Sequence, residues 1–299
     1  MYNIEQGAAV IVALSLWACT TEKIEADTSN QWEEETEAEE REEDTAESGW
    51  ESTQWSFGTD TVHLQITEVN GRREYQLSST HPQRDGAANE RSFAEEEGDP
   101  ILRSGYPLTD ALFALAVTEA KDNAVSQIQD GAFAQSEDCH CYKTGALWNW
   151  VWTRDIAYAT ELGLAWLDTE RAQNSLDFKL SEHKSGGNLQ IVQDTGTGGS
   201  WPVSTDRVTW ARGAMAVLEH STDAVFRQRV IAALQNTAAL DREYIFDPSD
   251  GLYFGESSFL DWREQSYPSW VTNNTVQIAM SKSLSTNLNH LFLLRSLEE

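Results

Sequence analysis

Cysteine is scarce, with three in 299 residues. They stand at Cys19, Cys139 and Cys141, an odd number, and the last two sit too close for an ordinary bridge, so no disulfide framework is expected. Basic residues are scarce too: 21 Lys and Arg face 49 Asp and Glu, a formal net charge of −28. A chain so acidic repels a polyanion, which argues against nucleic acid as a partner. The apolar run over 8–18, AAVIVALSLWA, is too short to span a membrane. The glycines of 193–213 are not followed by Gly-Lys-Ser or Gly-Lys-Thr, which argues against a phosphate loop. Cys139-His140-Cys141 puts three metal-binding side chains in three residues, too tight to wrap one ion, so no metal and no other cofactor is expected.

Tryptophan, by contrast, is abundant, at twelve residues. Indole faces suit flat apolar ligands, sugar rings above all, and they also serve as core filler.

The N-terminal run ends at Leu16-Trp17-Ala18-Cys19. This resembles a bacterial lipoprotein signal, with Cys19 as the lipidated residue, although MYNIEQ before it lacks Lys and Arg. The resemblance implies a lipid anchor in the cell envelope, at the outer membrane or in the periplasm. A buried helix is the alternative. Residues 20–54 hold fourteen acids against two bases, Lys23 and Arg41. Such self-repulsion and so few apolar groups predict an extended, disordered linker.

Over 55–100 the pattern predicts a short β-hairpin and a loop: TVHLQITEV and REYQL alternate around Asn70-Gly71, and 81–100 is polar. From 101 to 299 the chain reads as helical. LTDALFALAVTEA, 108–120, opens with Pro107 and a Thr109/Asp110 capping pair. Further helices are expected at 155–168, 170–183, 205–220, 223–245 and 275–297, separated by long loops at 186–204 and 246–270. Inner and outer helices in alternation suit a toroid of helical hairpins.

The centre of this pattern is Trp148 to Leu167, WNWVWTRDIAYATELGLAWL. Trp148, Trp150 and Trp152 alternate, Thr153-Arg154-Asp155 follows, and then comes a run apolar enough to be a helix buried all round. An Arg-Asp pair at such a lip either recognises something polar or is a structural salt bridge. A second junction, QDTGTGGSWPVSTDRVTWARG, carries Trp201, Asp206 and Arg207. A third, GLYFGESSFLDWREQSYPSW, sets Glu256, Asp261, Arg263 and Glu264 among six aromatics. Carboxyls in aromatic surroundings can be pushed up into the range of a general acid, and Arg263 can keep a second one ionised. Two carboxyls in opposite protonation states can cleave a glycosidic bond. A surface ion-pair cluster is the plainer alternative.

VWTRDIAYA, DTGTGGSWPVSTDRV and GESSFLDWREQSYP together resemble the bacterial six-hairpin glycosidases, of the (α/α)6-toroid glycoside hydrolase group. The resemblance covers about residues 101–299. It implies a mainly α fold, a toroid preceded by the hairpin and the acidic segment, and inverting hydrolysis of an oligo- or polysaccharide in a central cleft. Related α-glucoside hydrolases carry Glu-Ser before the acid, in an E-S-x-x-D pattern. Here Glu256-Ser257 precedes Asp261 with one residue more, which implies Asp261 as general acid and Glu264 as runner-up. Arg154 and Asp155 would hold hydroxyls of the terminal sugar between Trp152 and Trp201, with Asp206 and Arg207 as further hydroxyl partners. A complete toroid has twelve helices and this chain offers six or seven, so the expectation is a truncated ring or one completed by a second polypeptide. A non-catalytic sugar-binding lipoprotein and an inert fragment are the other readings.

Overall fold

A computed structural model describes residues 51–83, 87–130, 135–182, 187–192, 206–255 and 274–298. The described chain is not a mainly α toroid. It combines a four-stranded antiparallel sheet, three two-stranded antiparallel pairs and helices of very unequal length. Two compact units divide at Glu119/Ala120.

The first unit is a meander of β1 (Glu51–Phe57), β2 (Asp60–Val69), β3 (Arg72–Ser79) and β4 (Glu90–Ala94). The expected hairpin is therefore the middle of a larger sheet. Its turn is Asn70-Gly71, both at positive φ (55° and 77°), as a two-residue hairpin turn that follows the sheet's twist requires. Alternation decides the faces. Leu64, Ile66, Tyr75 and Phe93 lie on one side, where they pack with Ala111 and Ala114 of α1 (Pro107–Asp122). Tyr75 and Phe93 are direct cross-strand neighbours, their rings stacked at 5.3 Å. Each such large apolar side chain contributes about 1.5–3 kcal/mol by burial. The helix expected to open the toroid belongs instead to this sheet, because its alanine face lets it lie close.

A polar clasp holds the chain between β4 and α1. Glu95 accepts from both terminal nitrogens of Arg103 (2.5 and 2.7 Å), from the Tyr75 hydroxyl (2.7 Å) and from the Arg73 amide (2.9 Å). Asp110 accepts from Arg73 (3.0 Å) and from the Ser104 amide and hydroxyl. Burial pushes the Glu95 carboxyl up, but the hydrogen bonds from Arg103, Tyr75 and Arg73 outweigh it and hold it below its ordinary range.

The second unit opens with a hairpin that the polar sequence over 124–142 had hidden, β5 (Ala124–Asp130) and β6 (Gln135–Tyr142). Its register shifts between Val125 and Gln127, opposite Cys139-His140. Across this register shift the sulfurs of Cys139 and Cys141 are brought together, their Cα atoms 5.2 Å apart. Arg171 ties the hairpin down, donating to the carbonyls of Val125 (2.8 Å) and Cys141 (3.2 Å).

Helices follow: α2 (Thr153–Ala159), running on through a π-helical turn at Thr160–Leu164; α3 (Thr169–Asp177); α4 (Trp210–His220), entered through a 3-10 turn at Asp206–Thr209; and α5 (Ala224–Tyr244). The expected helix over 275–297 is two, α6 (Thr275–Ala279) and α7 (Leu284–Ser296). Short strand pairs, β7 (Leu180–Ser181) with β8 (Gln190–Ile191) and β9 (Phe246–Asp247) with β10 (Leu252–Tyr253), lie between them. The core joins Ile156, Leu176, Trp210, Val217, Phe226, Leu234 and Leu293. Helices α2, α3 and α4 approach closely at Gly213, where a Cβ would stand 3.1 Å from the Ala157 backbone and 3.2 Å from Leu176. Nor is the run after Asp155 buried all round: Ile156, Ala157, Thr160 and Ala165 face inward, while Trp166 is exposed.

Candidate functional site

The three indoles expected to form a lip do come together. Trp148 lies 5.1 Å from Trp152 and 6.1 Å from Trp150, ring centre to ring centre, both pairs tilted by 40°. The cause is local. Thr144 clamps the returning strand, its amide and its hydroxyl both donating to the Trp150 carbonyl at 2.8 Å and its hydroxyl accepting from the Trp152 amide at 3.0 Å. Between the indoles, Val151 points into the core. The Trp150 Nε1 is buried without a hydrogen-bond partner among the described residues.

The backbone then turns into α2. Thr153 anchors that turn by donating to the Val192 carbonyl at 2.7 Å, wholly buried. Arg154 pairs with its neighbour Asp155 at 3.2 Å, and its side chain is much the more buried of the two. Asp155 sits in the first helical turn, where the backbone N–H groups favour a negative charge.

From Arg154 the helical spacing runs to Tyr158 and on to Glu161, along one side of α2 and its π-turn. Distant residues complete this strip. Arg212 of α4 donates to Glu161 at 2.8 Å and to the Asn289 side-chain oxygen at 2.7 Å, and the Asn289 amide donates to the Tyr158 hydroxyl at 3.2 Å. The Arg212 guanidinium also lies over the Phe292 ring at 4.6 Å. Sequence reasoning missed Tyr158, Glu161, Arg212 and Asn289. Only the spacing Arg154-Tyr158-Glu161 was legible; Arg212 and Asn289 arrive from other helices.

Arg207, expected to hold a substrate hydroxyl, is 1 % exposed. Its guanidinium pairs with Asp241 of α5, Nη2 to Oδ1 at 2.5 Å. His290 of α7 lies 3.8 Å from the other Asp241 oxygen, and its ring stacks on Tyr253 at 3.8 Å. Burial, and then the Arg207 charge, push His290 down to about 3, so it is neutral. This is a buried polar centre, with Arg207 inside it rather than on the strip. Asp206 stands next to it in the 3-10 turn, its side chain outside the described residues. Cys19, Trp201, Glu256, Asp261, Arg263 and Glu264 also lie outside them. Of the expected site, the structure therefore brings together Trp152, Arg154 and Asp155.

No protein-family model matches this chain, and no curated protein or solved structure does. The site must be read from its own chemistry. Indole faces stand at one end of a strip of partly buried guanidinium, carboxylate and phenol groups, backed by the fully buried Asn289 amide. Such a mixture of donors and acceptors suits a ligand with many hydroxyls. Among the described residues no helix is long and apolar enough to cross a membrane.

Proposed function

We propose that this protein acts on carbohydrate and hydrolyses glycosidic bonds with inversion. The observation that carries the reading is the clustering of Trp148, Trp150 and Trp152 at the start of the α2 strip. A pyranose ring presents C–H groups to an indole face and hydroxyls at its rim, and the strip supplies partners for those hydroxyls. Arg154 and Asp155 hold the terminal sugar against Trp152, with Trp201 as a second wall and Asp206 as a further hydroxyl partner.

Hydrolysis falls to the segment carrying Glu256, Asp261, Arg263 and Glu264. The protonated Asp261 carboxyl gives its proton to the glycosidic oxygen as the bond to the anomeric carbon breaks. A carboxylate about 6.5–9.5 Å away takes a proton from the water that attacks the opposite face. Arg263 keeps a neighbouring carboxylate ionised, and Glu264 is the alternative acid. Cys19 carries the lipid anchor, and the acidic segment behind it spaces the sugar-binding unit from the membrane.

A second reading, sugar binding without turnover, needs only the clustered indoles with Arg154 and Asp155, and no second carboxylate. One experiment separates the readings: the full chain is assayed on aryl α- and β-glycosides and titrated with oligosaccharides by tryptophan fluorescence. Turnover abolished by Asp261→Asn supports the hydrolase. Quenching lost in Trp152→Ala, without turnover, supports the binder. Neither signal rules out both.

A further inference from the structure

The bulge in β6 sets up a pair of sulfurs that the proposed carbohydrate site does not use. In a regular strand, residues two apart stand roughly 6.8 Å from each other with parallel side chains, a poor geometry for a bond between them. Here Cys139 and His140 both fall between the Val125–Cys141 and Gln127–Asp138 pairs. The resulting bend brings the Cα atoms of Cys139 and Cys141 to 5.2 Å, with their sulfurs within bonding reach.

A bridge here adds little to the fold. Joining residues so near in sequence removes little conformational freedom from the unfolded chain. The backbone is also held without it, by three side chains of α3. Arg171 donates to the Val125 and Cys141 carbonyls, Asn174 donates to the His140 carbonyl at 3.3 Å, and the Ser175 hydroxyl accepts from the Tyr142 amide at 2.8 Å. None of these bonds involves a sulfur, so the bulge keeps its shape when the S–S bond opens. The two sulfurs are unequal as well. Cys141 is wholly buried in the core, while Cys139 is only partly buried at its margin, beside the exposed Asp138 and His140.

We propose that Cys139 and Cys141 are a redox-active pair that exchanges two electrons with external thiols. A donor thiolate attacks the Cys139 Sγ, the accessible one, and the bond to Cys141 breaks. Cys141 leaves as a thiolate and takes up a proton. A second donor thiolate then attacks the donor sulfur of the mixed disulfide and releases Cys139, which is protonated in turn. The donor thiols end as a disulfide and the pair as two thiols, with two electrons and two protons passed between them. Because α3 keeps the sulfurs close, an oxidised donor restores the bridge by the reverse path.

The experiment equilibrates the folded full chain in buffers of graded reduced-to-oxidised glutathione ratio at millimolar total concentration. Free thiols are then alkylated, and the peptide carrying Cys139 and Cys141 is read by mass; Cys19 lies on a separate peptide. The expected result is a reversible passage from bridged to doubly alkylated within that range, with amide exchange over 124–142 little changed. In Cys141→Ser, Cys139 forms a mixed disulfide with glutathione; in Cys139→Ser, Cys141 does so about ten-fold more slowly or slower still, because it is buried. The titration of the unaltered chain stands whether or not either variant folds. A pair that stays bridged at every ratio, or that never bridges, overturns the proposal. So does reduction that unfolds the hairpin, or equal reaction rates for the two cysteines.

Discussion

The two compact units bury charge in opposite ways. In the sheet unit, Glu95 and Asp110 are surrounded by donors at hydrogen-bonding distance, and each carboxylate oxygen of Glu95 accepts more than one bond. In the helical unit, Arg207 and Asp241 form an ion pair with almost no exposure, and beside it His290 keeps an Nε2 with no hydrogen-bond partner among the described residues. The first arrangement repays desolvation through hydrogen bonds near the surface. The second sets the Arg207–Asp241 ion pair beside a neutral histidine in a dry setting, which makes it costly to disturb and sensitive to a proton.

Removing one partner from the drier centre has the largest expected effect. Asp241→Ala leaves Arg207 buried without its carboxylate and costs about 3–5 kcal/mol, read as lost hydrogen-exchange protection across α4, α5 and α7. Glu95→Ala, the matching change in the sheet unit, costs about 2–3 kcal/mol, because Arg103 can turn to water while Tyr75 and the Arg73 amide lose an acceptor. Equal losses in the two units would erase the contrast.

Acid sharpens it. The folded pKa of His290, about 3, lies below its unfolded value near 6.5. The unfolded chain therefore takes up the proton first, and the helical unit loses stability as pH falls from about 6.5 toward 3. The loss is on the order of 2–3 kcal/mol by pH 4.5. Glu95, also depressed in the folded state, contributes only above its unfolded value, so its share of the sheet unit's stability is lost on going below about pH 4.5. Denaturation followed from pH 7 to 4.5 should show the helical unit weakening first, and His290→Gln should flatten that slope.

The smallest effect tests local against tertiary support. Asp168 caps α3 by accepting from the Arg171 amide at 3.0 Å. Asp168→Ala should cost about 1 kcal/mol, with faster exchange confined to the start of α3 and no change in the sheet unit.

Legibility in the sequence followed the range of the interactions. The Asn70-Gly71 turn, the alternation of TVHLQITEV, the long helix now bounded by Ala224 and Tyr244, and the clustered indoles were all readable, since each depends on neighbours within one or two turns of chain. The hairpin over 124–142 was not, because QSEDCHCY carries polar residues on both strand faces and its pairing is set by AVSQIQD and by Arg171 from α3. The toroid failed for a related reason: a helical stretch does not say whether its apolar face will meet a helix or a sheet, and that of α1 meets β2, β3 and β4. Of the candidate site, Trp152, Arg154 and Asp155 were legible as a contiguous motif. Glu161 and Arg212 were not, being 51 residues apart and joined only by packing.

Composition and spacing alone thus determined the acidic character of the chain, the turn chemistry of its meander and the row of indoles before α2, because charge, φ preference and side-chain alternation are properties of the local chain. Tertiary structure alone decided that Arg207 lies inside and that Leu284, Leu288, Leu291 and Leu294 of α7 lie outside. Burial of a side chain depends on what arrives opposite it. Here Asp241 and Tyr253 drew the polar face of the last helix inward and left its apolar face to water.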